Sequence, residues 1–165
     1  MKAVISRAHS KGHHISVCAA INQVHGVMHY EVVVSGYNGG RFASFISDLL
    51  KHQAFHSRSY TIVMNSCTAH HSSQIRPLIE EEQPVKRFLR NNPPYSPQLN
   101  AVEYCFASWA AYVNRHEKSE DNLRTLIKEA AESTTRDKIE GYVRHINRTL
   151  MLCAAGEPLR YPMPH

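Results

Sequence analysis

Runs of apolar residues at strand and helix spacing predict alternating strands and helices over the first half of the chain. Residues 15–21 (ISVCAAI) and 27–34 (VMHYEVVV) are of strand length and flank a short polar segment, so they predict a β-hairpin. A shorter β-like run occupies residues 3–6. In residues 41–52 apolar positions recur every three or four residues, which indicates an amphipathic helix, and a polar loop is expected after it.

The middle of the chain continues this alternation. Residues 60–64 (YTIVM) form a continuous apolar run typical of a strand buried on both faces. A helix over residues 72–82, capped by one of the serines at its start, and a strand over residues 85–89 are predicted next. Residues 91–97 (NNPPYSP) contain three prolines, which fix φ and remove donors, so this segment is expected to be a rigid loop.

The last third is predicted to be helical. Apolar residues recur at helical spacing in residues 99–116, again from 123 to 131, and again from 139 to 150, with charged residues between them. Alternating strands and helices followed by a helical C-terminal third indicate an α/β fold.

Length and composition agree with one globular domain. The chain has 165 residues, of which 42% are apolar and 20% charged, which argues against a disordered or low-complexity protein. No apolar stretch reaches the roughly 18 residues that span a bilayer, and no signal peptide is recognisable, so we expect an intracellular protein without a membrane segment. We divide it into a basic N-terminal segment (1–14), the domain (15–152) and a loose tail (153–165).

The charge balance leaves two interpretations open. Lys and Arg exceed Asp and Glu by five, and twelve His residues can add positive charge. Nucleic acid is one partner that would suit such a chain, and a mildly basic surface without special meaning explains the charge equally well. The four cysteines are widely spaced with no C-x-x-C pair, which argues against a zinc knuckle or a disulfide framework.

Two segments carry a more specific signal. Residues 63–72 (VMNSCTAHHS) and 93–106 (PPYSPQLNAVEYCF) resemble the catalytic domain of mariner-superfamily DDE transposases. There a strand ends in Asp-Asn-Ala-Ser-x-His, and a later loop has Pro-Pro-Tyr-Ser-Pro-Asp-Leu-Asn-Pro-x-Glu. Residues 37–42 (YNGGRF) resemble the Phe-Asn-Gly-x-Arg-Phe of the same family, and the resemblance covers roughly residues 14–115.

This resemblance implies a ribonuclease H-like fold, with a mixed sheet and flanking helices. In that family three carboxylates bind two Mg²⁺ ions and drive hydrolysis and strand transfer at DNA phosphodiesters. Two metal ions about 3.5–4 Å apart activate the attacking oxygen and stabilise the leaving one. Mg²⁺ selects carboxylate oxygens as ligands, so the acidic residues decide whether the chemistry is possible.

Carried over by position, the resemblance places Glu103 at the third acidic residue and Asn65 at the second, with His70 at the family's histidine. The 37 residues between Asn65 and Glu103 are a separation of the order that the family uses. The first acidic residue would lie on an upstream strand, and residues 1–14 contain no Asp or Glu. We therefore expect a truncated fold lacking the first strand, and Mg²⁺, the family's cofactor, to be held weakly at Glu103 or not at all.

Simpler interpretations of these residues remain open. Glu103 could be a first-turn glutamate stabilised by the helix N-terminus, and Asn65 could hold backbone groups at a strand end. His70 and His71 could bind a transition metal with Glu103, although a solvated loop explains two adjacent histidines as well.

A dispersed set of basic residues provides candidate DNA contacts, because phosphates are bound by scattered Arg and Lys side chains. The candidates are Arg41, Lys86, Arg87, Arg90 and Arg115. They are equally well explained as solubilising charge.

The leading hypothesis is thus an inactive DDE transposase or endonuclease domain that binds DNA weakly and non-specifically in the nucleus. One alternative is an interaction or regulatory protein that pairs with a full-length transposase, or with itself, through strand edges left open by the missing strand. Another is a decayed fragment that does not fold cooperatively.

Overall fold

The computed structural model describes residues 3–5, 15–34, 36–56, 59–65, 73–80, 87–93, 96–116 and 122–157. The strands are β1 (Ala3–Ile5), β2 (Ile15–Asn22), β3 (Gly26–Val34), β4 (Tyr60–Met64) and β5 (Arg87–Asn91). The α-helices are α1 (Gly39–Leu50), α2 (Ile75–Glu80), α3 (Ala101–His116), α4 (Leu123–Glu132) and α5 (Arg136–Ala154), and 3₁₀ turns occupy Gln53–His56 and Pro97–Leu99. None of the helices in these ranges is long and apolar enough to cross a membrane.

The strands form two small sheets. In the first, β2 lies between β1 and β3 and is antiparallel to both, so the predicted hairpin of β2 and β3 is confirmed. In the second, β4 and β5 are parallel, with Met64 opposite Asn91. A parallel pair requires a crossover connection, and α2 lies within it.

The short β-like run predicted at residues 3–6 is confirmed as a strand. This strand, β1, is antiparallel to β2 and pairs with Ile15, Ser16 and Val17. Residues 1–2 and 6–14, on either side of it in the sequence, lie outside the described residues. The expected loss of the family's first strand therefore stays a prediction.

Helices cover both faces of the hairpin, because successive strand residues point to opposite sides of a sheet. One face packs against α3, α4 and α5 around Trp109, which is 1% exposed and donates a hydrogen bond from its indole Nε1 to Thr134 Oγ1 at 2.7 Å. The other face packs against α1, and that cluster also includes Met64 of β4 and Ile79 of α2. This second cluster joins the two sheets.

Two local expectations were wrong. The segment after α1 is a 3₁₀ turn rather than a polar loop, with Ala54 and Phe55 buried, because the Phe55 ring packs on Tyr60 at a centroid distance of 4.9 Å. Strand β4 is buried on one face only, since Thr61 and Val63 are exposed. Its other side chains pack toward α1 and α2.

Element ends differ from the predictions by a few residues. Helix α1 begins two residues early, because Asn38 Oδ1 accepts the Arg41 N–H at 2.9 Å and caps it. Strand β5 ends two residues later than predicted, because its pairing with β4 extends to Asn91. Helix α5 is longer at both ends than the residues 139–150 predicted from apolar spacing. Residues 72, 81–86 and 158–165 lie outside the described residues.

Replacing Ile127 by Ala tests the packing of α4 against the hairpin. Ile127 is 0% exposed, so Ile127→Ala should lower the free energy of unfolding by about 2–5 kcal/mol through lost burial and a residual cavity. Urea unfolding followed by circular dichroism measures this change. Lys128→Ala, at the next and exposed position, should change the free energy by less than about 0.5 kcal/mol, and equal losses in both variants would contradict this core.

Candidate active site at the entry of helix α3

Glu103 lies in the first turn of α3, where the chain entering the helix is held by backbone hydrogen bonds. Asn100 N–H donates to the Pro97 carbonyl at 2.9 Å, and the Asn100 carbonyl accepts the Glu103 N–H at 3.0 Å. The prolines of the preceding segment fix φ and favour this tight entry. The Glu103 side chain is half-buried, and this burial raises the pKa of its carboxyl above the ordinary value.

Asn65 is the first residue after β4. The residue before it, Met64, is bound to the end of β5. The Met64 carbonyl accepts the N–H of Asn92, which follows β5, at 2.7 Å. Asn92 is itself buried, and its Nδ2 donates to the Ser96 carbonyl at 3.4 Å. The end of β4 is therefore tied to the loop that leads into α3.

A cavity of about 460 Å³, here called the central cavity, connects these two segments. It lies between β2, α1, β4, the entry of α3 and α5. Met64, Asn92 and Asn100 all line it, so the residues preceding Asn65 and Glu103 border the same space. The Nδ2 of Asn100 is buried here without a hydrogen-bond partner among the described residues.

The described donor set around Glu103 does not fit a pair of Mg²⁺ ions. Mg²⁺ dehydrates reluctantly and is held through carboxylates, whereas Asn65 offers one neutral amide oxygen. Asp48 accepts a hydrogen bond from Lys51 at 2.7 Å on α1, and Asp137 lies in the first turn of α5. Within the described part of the chain, no three His, Cys, Asp or Glu side chains cluster as metal ligands. His70, His71 and Asp121, whose side chains could also bind a metal, lie outside that part.

Among the DNA-contact candidates, Arg41 belongs to a polar network that the sequence did not indicate. Its Nε donates to Glu31 Oε1 at 3.0 Å, while the buried Tyr37 donates its hydroxyl to Glu31 Oε2 at 2.6 Å. Burial is the main cause that raises the pKa of Tyr37. Glu31 lies in β3, outside the motif of residues 37–42, and no sequence signal links it to Tyr37 or Arg41.

The other basic candidates are not brought to one place by the described contacts. Arg90 is an exposed residue of β5, opposite Val63 in the parallel register. Arg115 lies at the end of α3 and donates from Nε to the carbonyl of its own helix at Ala111, 3.1 Å away. Arg87 begins β5, its side chain is not described, and residue 86 lies outside the described residues.

The raised pKa of Glu103 makes a prediction about stability and pH. Between the ordinary pKa and the raised one, the folded protein holds a proton that the unfolded chain has released, so stability falls as the pH rises through this window. Glu103→Gln cannot ionise and should raise the unfolding temperature more at about pH 7.5 than at about pH 4. Glu157→Gln, at an exposed position, is the control, and equal gains for Glu103→Gln at both pH values would contradict the prediction.

Comparisons with known proteins identify the family. Residues 2–127 match the family described as DDE superfamily endonuclease, and the comparison with curated proteins gave no match. The fold is similar to that in the crystal structure of the Mos1 strand transfer complex, with a TM-score of 0.74 and 17% sequence identity. The match covers 94% of this chain and 46% of that one, so this chain spans less than half of its length. The ribonuclease H-like fold, with its C-terminal helices, is confirmed, and the chain belongs to the DDE superfamily endonucleases.

Proposed function

We propose that this chain is a DDE-type domain that no longer cuts DNA and that binds nucleic acid weakly and non-specifically. The observation that carries the proposal is Asn65, an amide where the family motif has its second acid, inside a chain that belongs to the family. The remaining motif carboxylate, Glu103, lies in the first turn of α3, and the start of this helix borders the central cavity.

Loss of cutting follows from the chemistry of the ligands. Two-metal hydrolysis needs anionic oxygens that hold both ions while negative charge develops on the attacking and leaving oxygens. A neutral amide and one half-buried carboxyl supply at most one negative charge, and burial shifts Glu103 toward its neutral form. No step through a metal ion is therefore assigned to these residues.

Weak DNA binding is supported by charge rather than by a formed groove. The chain carries a formal charge of +5, and phosphate contacts supply most of non-specific binding. The similar structure is a strand transfer complex, which is consistent with DNA as the polymer bound. Arg90 is the best-supported contact, because it is exposed on the strand beside β4, whose end leads to Asn65. DNA binding would place the protein in the nucleus.

The two alternatives from the sequence remain hypotheses. Pairing with a full-length transposase would show as co-purification and would not require DNA binding. A decayed fragment would unfold without a cooperative transition, which the urea experiment on Ile127→Ala and its parent would reveal.

A nicking assay on supercoiled plasmid tests the loss of cutting. With Mg²⁺ or Mn²⁺ the chain should release no more nicked DNA than buffer, and Glu103→Ala should behave identically. Cleavage that Glu103→Ala abolishes would overturn the proposal. Asn65→Asp adds a carboxylate at the motif position and should tighten Mn²⁺ binding, measured by electron paramagnetic resonance. The control is Asn91→Asp on the neighbouring strand, which should leave Mn²⁺ binding unchanged.

Fluorescence anisotropy with a labelled random-sequence duplex tests the binding. We expect a dissociation constant of about 10⁻⁴ to 10⁻⁶ M at physiological salt, weakening steeply as salt rises. Arg90→Ala should reduce the slope of log affinity against log salt by about 1. Arg148→Ala removes another exposed arginine, on α5, and should leave the slope unchanged. Equal effects of the two variants would show that only net charge matters.

A further inference from the structure

We propose that one face of the β4–β5 pair binds single-stranded DNA, with the ring of Phe88 stacking on an unpaired base and Arg90 contacting a phosphate beside it. This face would be the site of the nucleic-acid binding proposed above, on which the assignment rests. An unpaired strand, rather than a duplex, would be the form of DNA that it prefers.

Four exposed side chains form this face, here called the outer face. Phe88 and Arg90 are two residues apart on β5, so they point to the same side of the sheet, and both are exposed. In the parallel register Thr61 lies opposite Phe88 and Val63 lies opposite Arg90, and these two are exposed as well. Two neighbouring strands thus present one aromatic ring, one guanidinium group and two small side chains to solvent.

Phe88 differs from every other phenylalanine of the chain in its exposure. All five phenylalanines lie in the described ranges, and the other four are at most 7% exposed, whereas Phe88 is 46% exposed. The single tryptophan, Trp109, is buried. An exposed ring leaves apolar area in contact with water, and a flat aromatic partner would cover that area. Phe88 is therefore a ring that is free to stack on a partner.

The charge of the outer face favours an anionic partner. Strands β4 and β5 contain no Asp or Glu, and none of the ion pairs between described residues involves Arg90. A purely apolar partner that covered Phe88 would also take Arg90 out of water without supplying an opposite charge, which is costly. A nucleotide carries a flat base next to a phosphate, so it suits the ring and the guanidinium group together.

A single strand suits this face better than a duplex. In a duplex the bases stack on one another and expose only their edges in the grooves, so a ring reaches a base face only after the base is unpaired. Proteins bind single strands by stacking aromatic side chains on bases while basic side chains contact the backbone, and exposed sheet faces serve in this way in RNA-binding domains. Phe88 and Arg90 lie about 6.6 Å apart along β5, at 3.3 Å per residue, so adjacent parts of one strand can reach both.

Fluorescence anisotropy with two labelled strands of equal length tests the proposal on the full chain. One is oligo(dT) and the other is an abasic strand, which has the same phosphates and no bases. Phe88→Ala should weaken binding of oligo(dT) by about 5- to 100-fold, since it removes the stacking of one base, and should leave binding of the abasic strand unchanged. Arg90→Ala should weaken both strands alike. Equal effects of Phe88→Ala on the two strands would overturn the proposal.

Val63 and a second change at Phe88 provide matched controls. Val63 is 48% exposed on the same face, so Val63→Ala removes a similarly exposed apolar side chain without a ring and should change oligo(dT) affinity by less than about twofold. Phe88→Leu keeps an apolar side chain and should lose as much affinity as Phe88→Ala. Parent-like binding by Phe88→Leu would contradict stacking. Because residue 88 is exposed, neither change should move the urea midpoint much, so lost binding does not reflect unfolding.

A tryptophan at residue 88 reports stacking directly. Trp109 is 1% exposed, so DNA should leave the tryptophan fluorescence of the parent chain almost unchanged. In Phe88→Trp, oligo(dT) should quench the added fluorescence, because an indole stacked on a base loses emission, and the abasic strand should not. Equal quenching by both strands would show that the ring senses charge and not a base.

A duplex probe separates this assignment from the proposed function. If the duplex binds and oligo(dT) binds no more tightly than the abasic strand, the assignment to the outer face fails and non-specific binding by charge stands. If no probe binds, both fail. Size-exclusion chromatography should show a monomer without DNA. A dimer that Phe88→Ala dissociates would overturn the assignment to DNA, because the outer face would then contact a second copy of this chain.

Discussion

The backbone N–H and C=O groups of a strand enclosed between two helical layers can form hydrogen bonds only with neighbouring strands. This requirement applies to both β2 and β4. β2 is held in place by β3 and by the packing of Val17 against α3, and β4 is held by β5 and by the packing of Met64 against α1. Each strand is thus held by a neighbouring strand and by a buried cluster.

Charge at the motif positions decides what the site can hold. The family resemblance places acids where this chain has Asn65 and Glu103, and only Glu103 of the two is a carboxyl. An amide oxygen is neutral, so this pair of residues offers at most one negative charge to a cation.

The sequence was sufficient where a pattern depends on one element. The hairpin, α1 and the three C-terminal helices follow from apolar periodicity, and the loop into α3 follows from its prolines. It was insufficient where the outcome depends on a neighbour. Residues 60–64 are apolar throughout, yet Val63 is exposed, because nothing in a strand's own sequence shows whether a helix covers its second face. Phe55 is buried by its contact with Tyr60, which no spacing rule reports.

The candidate site shows the same division. Glu103 and Asn65 could be located from the motif, because the residues that define each half of the motif are consecutive in the sequence. Glu31, which binds both Tyr37 and Arg41, could not, because these contacts join β3 to the segment that enters α1 and depend on how the two elements pack. The central cavity has no signature in the sequence at all, since its lining comes from strands and helices that are spread along the chain from β2 to α5.

Backbone hydrogen bonds hold the segments that carry Asn65 and Glu103. The Met64 carbonyl accepts the Asn92 N–H, and the Asn100 carbonyl accepts the Glu103 N–H, so both segments are held by main-chain groups. Asn65, where the family motif has an acid, carries no charge, and these backbone bonds do not require a particular side chain at residue 65 or 103. A metal site whose scaffold is made of backbone hydrogen bonds can therefore lose its ligands while the fold around it persists.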